Sequence, residues 1–145
     1  MKLNNTLLFM IITLFTGSAF AQKLTPGTWK ATAKIKLHGI SLPSNVQEEC
    51  VRTSDTKNLK KVVSEALGKN GCTLKQWKVK KQTLDTKIRC KSDDLDAEGS
   101  VTGTIGEKKY ELKGTADGLY KSSIPAKAEF LLNGEWLGPC KDKKN

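Results

Sequence analysis

Apolar and polar residues alternate between Thr28 and Leu37 with the two-residue period of a β-strand. Segments 46–51, 72–80 and 84–90, which lie between turn-forming residues, are predicted as a short strand and a hairpin. The alternation recurs over 95–105, 110–116 and from residue 126 onward. In the last of these segments, Asn133-Gly134 is typical of a β-bulge that shifts the alternation before Trp136. The pattern predicts a mostly β fold in which six to seven antiparallel strands form a meander, either a strongly bent sheet or a small barrel.

One segment has the period of an amphipathic helix instead. Its apolar residues lie at i, i+3, i+4, i+7 and i+8: Leu59, Val62, Val63, Ala66 and Leu67. Ser54 or Asp55 is a suitable N-cap, because a short oxygen-bearing side chain can accept the amide hydrogens of the first turn. Gly68 and Asn70-Gly71 end the pattern. The sequence therefore predicts one short α-helix whose apolar stripe packs on the core.

The amino-terminal residues have the pattern of an export signal. Lys2 precedes a nearly unbroken apolar run from Leu7 to Phe15, and Ala19-Phe20-Ala21 is a small-x-small cleavage site. A membrane anchor is the alternative, but the run is far shorter than the roughly 20 residues that span a bilayer. We therefore expect residues 1–21 to be a signal peptide cleaved after Ala21. Residues 22–145 then form a single mostly β domain in the periplasm or outside the cell.

The chain contains four cysteines, an even number that is typical of disulfides in an exported protein. If the hairpin after the helix turns at Lys81 or Gln82, Cys72 lies opposite Cys90 and a bond can form. Cys50 and Cys140 then pair by elimination. The alternative set joins Cys50 to Cys72 and Cys90 to Cys140, and a zinc site is disfavoured because no two cysteines are close in sequence.

Positive charge is the strongest compositional feature, with a formal net charge of +10. Between Lys69 and Lys91 there are eight basic residues and one acidic residue, Asp85. This segment is a candidate contact for an anionic surface. The candidate contact residues are Lys75, Lys78, Lys80, Lys81, Lys87 and Arg89. The alternative is a solvated, solubilising face, and we do not expect nucleic acid as a partner.

Catalytic and metal-binding patterns are weak. The sole histidine, His38, stands beside Gly39 in a predicted turn, and the cysteines are assigned to disulfides. Asp94, Asp96 and Glu98 imitate the start of a calcium loop, but its twelfth position is Ile105 where a glutamate is required. Their alternation also fits acidic side chains on the outer face of a strand, paired with the basic hairpin. We therefore expect no catalytic residues, no metal and no cofactor.

An apolar ligand site is a further possibility that the sequence leaves open. Small barrels either enclose a ligand or are filled by their own side chains. Gly99, Gly103 and Gly114 have the parity of inward-facing positions, where the absence of a side chain leaves room for a ligand or allows close packing.

Several short motifs occur together in a fixed order along the chain. They are Pro26-Gly27-x-Trp29, Glu49-Cys50-Val51, Gly71-Cys72, Cys90 and Gly134-x-Trp136-x-Gly138-x-Cys140. Together they resemble the domain-of-unknown-function 3617 family of small exported bacterial proteins. That family has no assigned activity, so the resemblance implies a compartment and a fold signature but no catalytic residues.

These observations favour a non-enzymatic periplasmic or envelope protein that binds a protein partner or an anionic envelope surface. The alternative function is a carrier for a small apolar ligand held in a barrel pocket.

Overall fold

The alternating segments form eight β-strands in the computed structural model, which describes residues 24–68 and 71–141. The strands are β1 (Gly27–Leu37), β2 (Ile40–Ser41), β3 (Asn45–Val51), β4 (Cys72–Lys80), β5 (Thr83–Lys91), β6 (Leu95–Ile105), β7 (Lys109–Tyr120) and β8 (Ile124–Gly138). Two helices, α1 (Thr53–Lys57) and α2 (Leu59–Gly68), lie between β3 and β4. The predicted signal peptide, residues 1–21, lies outside the described residues, and so does Lys69.

All eight strands belong to one antiparallel sheet in the order β2-β1-β8-β7-β6-β5-β4, and β3 pairs with the same edge of β1 as β2 does. The predicted mostly β meander is confirmed. Seven strands correspond to predicted segments, and the two-residue β2 is the addition. The sheet is neither closed nor strongly curled, since β3 and β4 do not pair, so both predicted shapes, the small barrel and the strongly bent sheet, are wrong. The helical segment connects these two edges in sequence, and α2 packs against β4.

The register gives the sheet one apolar and one polar face, because directly opposed residues project to the same side. The apolar face extends across six strands, β1 and β4 to β8. Its members include Ala33, Ile35, Trp77, Leu84, Ile88, Val101, Leu112, Phe130 and Leu132. The buried core on this face is small, comprising Trp29, Leu84, Val101 and Ile105. Most of the other apolar side chains on this face are only half-buried.

Glycines on the apolar face provide space for aromatic rings of the neighbouring strand. A Cβ on Gly114 would overlap the Phe130 ring, and a Cβ on Gly134 would overlap the Tyr110 ring. Gly134 is therefore not the start of a bulge, as its sequence context suggested, and the alternation in β8 runs unbroken to Trp136. The register shift lies between Thr28 and Trp29 of β1, opposite the carboxyl-terminal end of β8.

The predicted helix is present, but it begins later than expected. Asn58 precedes α2 and accepts a hydrogen bond on Oδ1 from the backbone N–H of Lys61, at 3.1 Å, so Asn58 caps the helix. The predicted caps Ser54 and Asp55 instead belong to the short α1, where Asp55 accepts a hydrogen bond from the backbone N–H of Arg52. The cap prediction was wrong because residues 53–57 form a separate turn of helix.

Both predicted disulfides are present, Cys72–Cys90 and Cys50–Cys140. Lys80 pairs with Thr83 across the hairpin turn, a register that alone would place residue 91 opposite Cys72. A bulge at Lys75 removes the one-residue offset and brings Cys90 opposite Cys72. The predicted pairing is therefore confirmed, and the bulge is the local feature that permits it.

Candidate functional site

The β4–β5 hairpin brings most of the predicted anion-contact residues together at one edge of the sheet. Lys78 and Lys80 project from the polar face of β4, and Lys87 projects from the same face of β5. Lys81 lies in the turn with a positive φ of 55°, and Lys75 lies at the bulge. All five side chains belong to exposed residues. We call these five residues the hairpin lysines.

Arg89 differs from the hairpin lysines. Its guanidinium binds the Asp96 carboxylate at 2.9 Å and the Glu98 carboxylate at 2.8 Å, both on the neighbouring strand β6. The expectation that acidic side chains of β6 pair with the basic hairpin is confirmed for these two residues. Arg89 is therefore held within the sheet surface by two carboxylates, and its charge is largely compensated.

The hairpin lysines have no such compensation. Within residues 24–68 and 71–141, none of them lies within 4 Å of a carboxylate oxygen. Asp85, the one acidic residue of the hairpin, lies opposite Lys78 in the register but forms no ion pair there. The local positive charge is thus carried by the lysines and is open to an external anion.

The two terminal motifs meet in an aromatic cluster at the other edge of the sheet. Trp29 pairs with Trp136 across β1 and β8, and the Trp29 ring stacks on Tyr110 with centroids 5.9 Å apart. The indole N–H of Trp29 donates to the Thr25 carbonyl at 2.9 Å. The indole N–H of Trp136 donates to the Pro26 carbonyl at 3.1 Å. These contacts give the motifs a structural role, since they fix the first strand against the last.

Tyr110 is the one described residue with a resolved shift in acidity. Burial raises the pKa of the Tyr110 hydroxyl above its usual value, and the negative charge of Glu49 raises it further. The neutral phenol is therefore the favoured form of Tyr110 in the cluster.

Two open depressions adjoin the sheet. The first, with a volume of about 570 Å³, lies between β1, β7, β8 and the segment that follows β2. Lys34, Lys36 and Lys113 line it together with Glu129 and Leu131. The second, of about 960 Å³, adjoins the β6–β7 turn and Trp136.

Close packing accounts for the inward glycines that suggested a ligand cavity. The Phe130 ring occupies the space above Gly114, and backbone atoms of β7 lie against Gly99 and Gly103.

The chemically reactive residues of the sequence have structural positions. All four cysteines are bonded, and His38 lies in the β1–β2 turn with a φ of 50°. Within residues 24–68 and 71–141, no group of three or more His, Cys, Asp or Glu side chains is arranged to hold a metal ion. No helix among the described residues has both the length and the hydropathy needed to cross a bilayer.

Sequence reasoning missed a second surface, formed by two neighbouring hairpin ends. The β1–β2 and β7–β8 hairpins end side by side, and the backbone N–H of His38 donates to the Lys127 carbonyl at 3.0 Å. These ends carry exposed apolar side chains: Leu37, Ile40, Leu42, Leu119, Tyr120 and Ile124. We call these six residues the apolar tip. The signal was present in the sequence, because each turn is flanked by apolar residues where polar residues are usual.

A sequence-family model described as protein of unknown function (DUF3617) matches residues 24–140. The chain belongs to the DUF3617 family. The matched range includes both tryptophan motifs and all four cysteines, so the DUF3617 signature coincides with the aromatic cluster and the two disulfides. Comparisons with curated proteins and with solved structures found no match.

Proposed function

We propose that this protein is a non-enzymatic component of the cell envelope that binds an anionic surface through the hairpin lysines. The observation that supports the proposal is that Arg89 and the lysines of the same hairpin differ in their ion pairing. Arg89 is neutralised by two carboxylates of β6, whereas the five lysines lie exposed without an ion-pair partner among the described residues. Catalytic groups usually lie in clefts with shifted pKa values, and the hairpin lysines lie on an open strand surface.

In the simplest treatment, the binding free energies contributed by the individual lysines add. Each lysine close to an anionic surface contributes about 1 kcal/mol at physiological ionic strength. Five hairpin lysines therefore suffice for a measurable affinity, even when only some of them reach the surface together. The contribution falls as salt rises, because the Debye length shortens from about 10 Å at 0.1 M to about 3 Å at 1 M.

The test is retention of the processed, disulfide-bonded protein on a heparin column, a lipid-free polyanion. The variant Lys78→Glu/Lys80→Glu reverses two hairpin lysines. The control Lys34→Glu/Lys113→Glu makes the same change in net charge on exposed positions of β1 and β7. We expect the hairpin variant to elute at clearly lower salt than the control, because only it removes contact residues.

Equal elution of the two variants would contradict the proposal, because binding would then follow total charge alone. Failure of the wild-type protein to bind at low salt would also contradict it. In that case the lysines would have only a solubilising role.

The proposed compartment follows from the export signal and agrees with the two disulfides, which are typical of an oxidising environment. Cleavage after Ala21 leaves Gln22 as the first residue. Mass spectrometry of the protein recovered from the periplasmic fraction checks both points.

A further inference from the structure

Exposed large apolar side chains are concentrated at one end of the sheet. Six of the ten such residues in the described chain belong to the apolar tip. Ile40 is 69% exposed and Ile124 is 53% exposed, the two highest values among them. Both residues flank reverse turns, so their side chains protrude from the molecule and do not line a groove. Apolar residues at adjacent protruding turns are unusual in a soluble chain and mark a contact surface.

The charge of the same two turns indicates what kind of surface they contact. The segments Lys36–Leu42 and Leu119–Lys127 contain three lysines, Lys36, Lys121 and Lys127, and no acidic residue. Tyr120 lies between the apolar and basic groups, with the Lys121 ammonium 5.4 Å from its ring centroid. Tyrosine and lysine beside apolar side chains are characteristic of the membrane–water interface.

The acidic residues near the apolar tip lie in the β5–β6 turn and on β7 and β8. Asp117 is opposite Lys127 and Glu129 is opposite Lys36 in the register, but neither forms an ion pair with that lysine. Asp93 and Asp94 lie in the β5–β6 turn, which adjoins β7 through a hydrogen bond from the backbone N–H of Lys121 to the Asp94 carbonyl at 2.7 Å. Lys121, at the β7–β8 turn, therefore faces an external anionic surface most directly, and the ammonium groups of Lys36 and Lys127 are not paired with the carboxylates opposite them.

We propose that the apolar tip docks the protein on a lipid bilayer that contains anionic headgroups. Ile40 and Ile124 enter the interfacial region, and Lys36, Lys121 and Lys127 contact lipid phosphates. This surface is separate from the hairpin lysines Lys78, Lys80 and Lys81. Their turn lies at the other end of β5, about 30 Å away for a nine-residue strand at about 3.3 Å per residue.

The test measures partition of the processed protein onto large vesicles of phosphatidylcholine with phosphatidylglycerol. The variant Ile40→Ser/Ile124→Ser removes the two most exposed apolar side chains of the tip. The control Val46→Ser/Leu137→Ser removes two side chains of similar exposure, 52% and 49%, that lie outside the tip. We expect a loss of roughly 30-fold or more for the tip variant, from the apolar area of two isoleucines, and almost none for the control. Unchanged circular dichroism shows that each variant is folded.

The outcomes separate this inference from the proposed function. Loss of vesicle binding by the tip variant, with its retention on heparin unchanged, supports the tip as an independent lipid contact. Wild-type vesicle binding by the tip variant overturns the inference, and so does an equal loss in the control. If Lys78→Glu/Lys80→Glu alone abolishes vesicle binding, the bilayer contact belongs to the hairpin lysines. If the wild type does not bind vesicles but forms dimers that the tip variant lacks, the tip is overturned as a membrane contact and is a contact between copies.

Discussion

Substitution of Gly134 by alanine tests whether the aromatic cluster requires the space that the missing side chain of Gly134 leaves for the Tyr110 ring. A Cβ at this position would lie 2.6 Å from Tyr110 Cδ1 and would overlap other atoms of the ring. The ring cannot move away freely, because it also stacks on Trp29 at a centroid distance of 5.9 Å. Either the Tyr110 side chain changes its rotamer and loses its stacking on Trp29, or β7 and β8 move apart locally.

The expected cost follows from two opposing contributions. Overpacking in a well-packed region costs about 1–3 kcal/mol, whereas replacing glycine by alanine restricts the unfolded chain and returns about 0.4–1 kcal/mol. We therefore expect a net loss of about 1–2 kcal/mol in the free energy of unfolding, or roughly 4–10 °C in Tm for a domain of this size. Thermal unfolding followed by far-ultraviolet circular dichroism, with the disulfides intact, measures it.

A double-mutant cycle identifies the cause of this loss. In the Tyr110→Leu background the ring is absent, so Gly134→Ala should cost clearly less, and the coupling should fall within about 0.5–3 kcal/mol. The control Gly68→Ala introduces a Cβ with no atom within 4 Å at the end of α2, so it should be neutral or slightly stabilising. Additive effects of Gly134→Ala and Tyr110→Leu, or a Gly134→Ala protein as stable as the wild type, would refute the reasoning.

Two further predictions concern the disulfides and the buried phenol. The Cys50–Cys140 bond closes a sequence separation of 90 and the Cys72–Cys90 bond one of 18, so their paired serine variants should lose about 4.6 and about 3.2 kcal/mol in the chain-entropy model. Urea unfolding measures both losses, and a larger loss for the shorter loop would contradict the entropic ranking. Because the pKa of Tyr110 is raised in the folded state, the unfolded chain ionises first, and stability should fall as the pH rises above about 10. Tyr110→Phe should reduce that fall in a comparison of Tm between about pH 9 and about pH 11, and an identical pH dependence in both proteins would exclude Tyr110 as its source.

The strands and the disulfides were predictable because they depend on local periodicity and on hairpin geometry. Alternation predicted the longer strands, turn-forming residues delimited the shorter ones, and the turn at Lys81 and Gln82 placed Cys72 near Cys90. The single-residue bulge at Lys75 was not predicted, although the apolar positions change from even to odd numbers between Leu74 and Trp77. Sequence alone could predict the residue opposite Cys72 only to within one position. The bulge at Lys75 shifts β4 by that one residue, so the disulfide forms.

The errors arose where one residue type has two physical uses. Glycine within a strand indicates either a bulge or the close approach of another group to the backbone. At Gly134 it is the Tyr110 ring that approaches the backbone. Charge density predicted the basic hairpin, but composition cannot show that Arg89 is compensated by β6 while the lysines are not. The apolar tip was not predicted because alternation assigned Leu37 to the apolar face of β1 and the other five residues lie outside the alternating segments.

The position of β8 between β1 and β7 determines the order in which the sheet can assemble as the chain is synthesised. The first strand of the sheet to be synthesised must wait for the last, since Trp29 pairs with Trp136. The β4–β7 meander and the Cys72–Cys90 hairpin, by contrast, consist of contacts between neighbours in sequence. Until β8 arrives, the inner edge of β1 presents unpaired amides and carbonyls that could join another chain. The lysines that alternate along β1 oppose such pairing, because two β1 strands from different chains would bring like charges together.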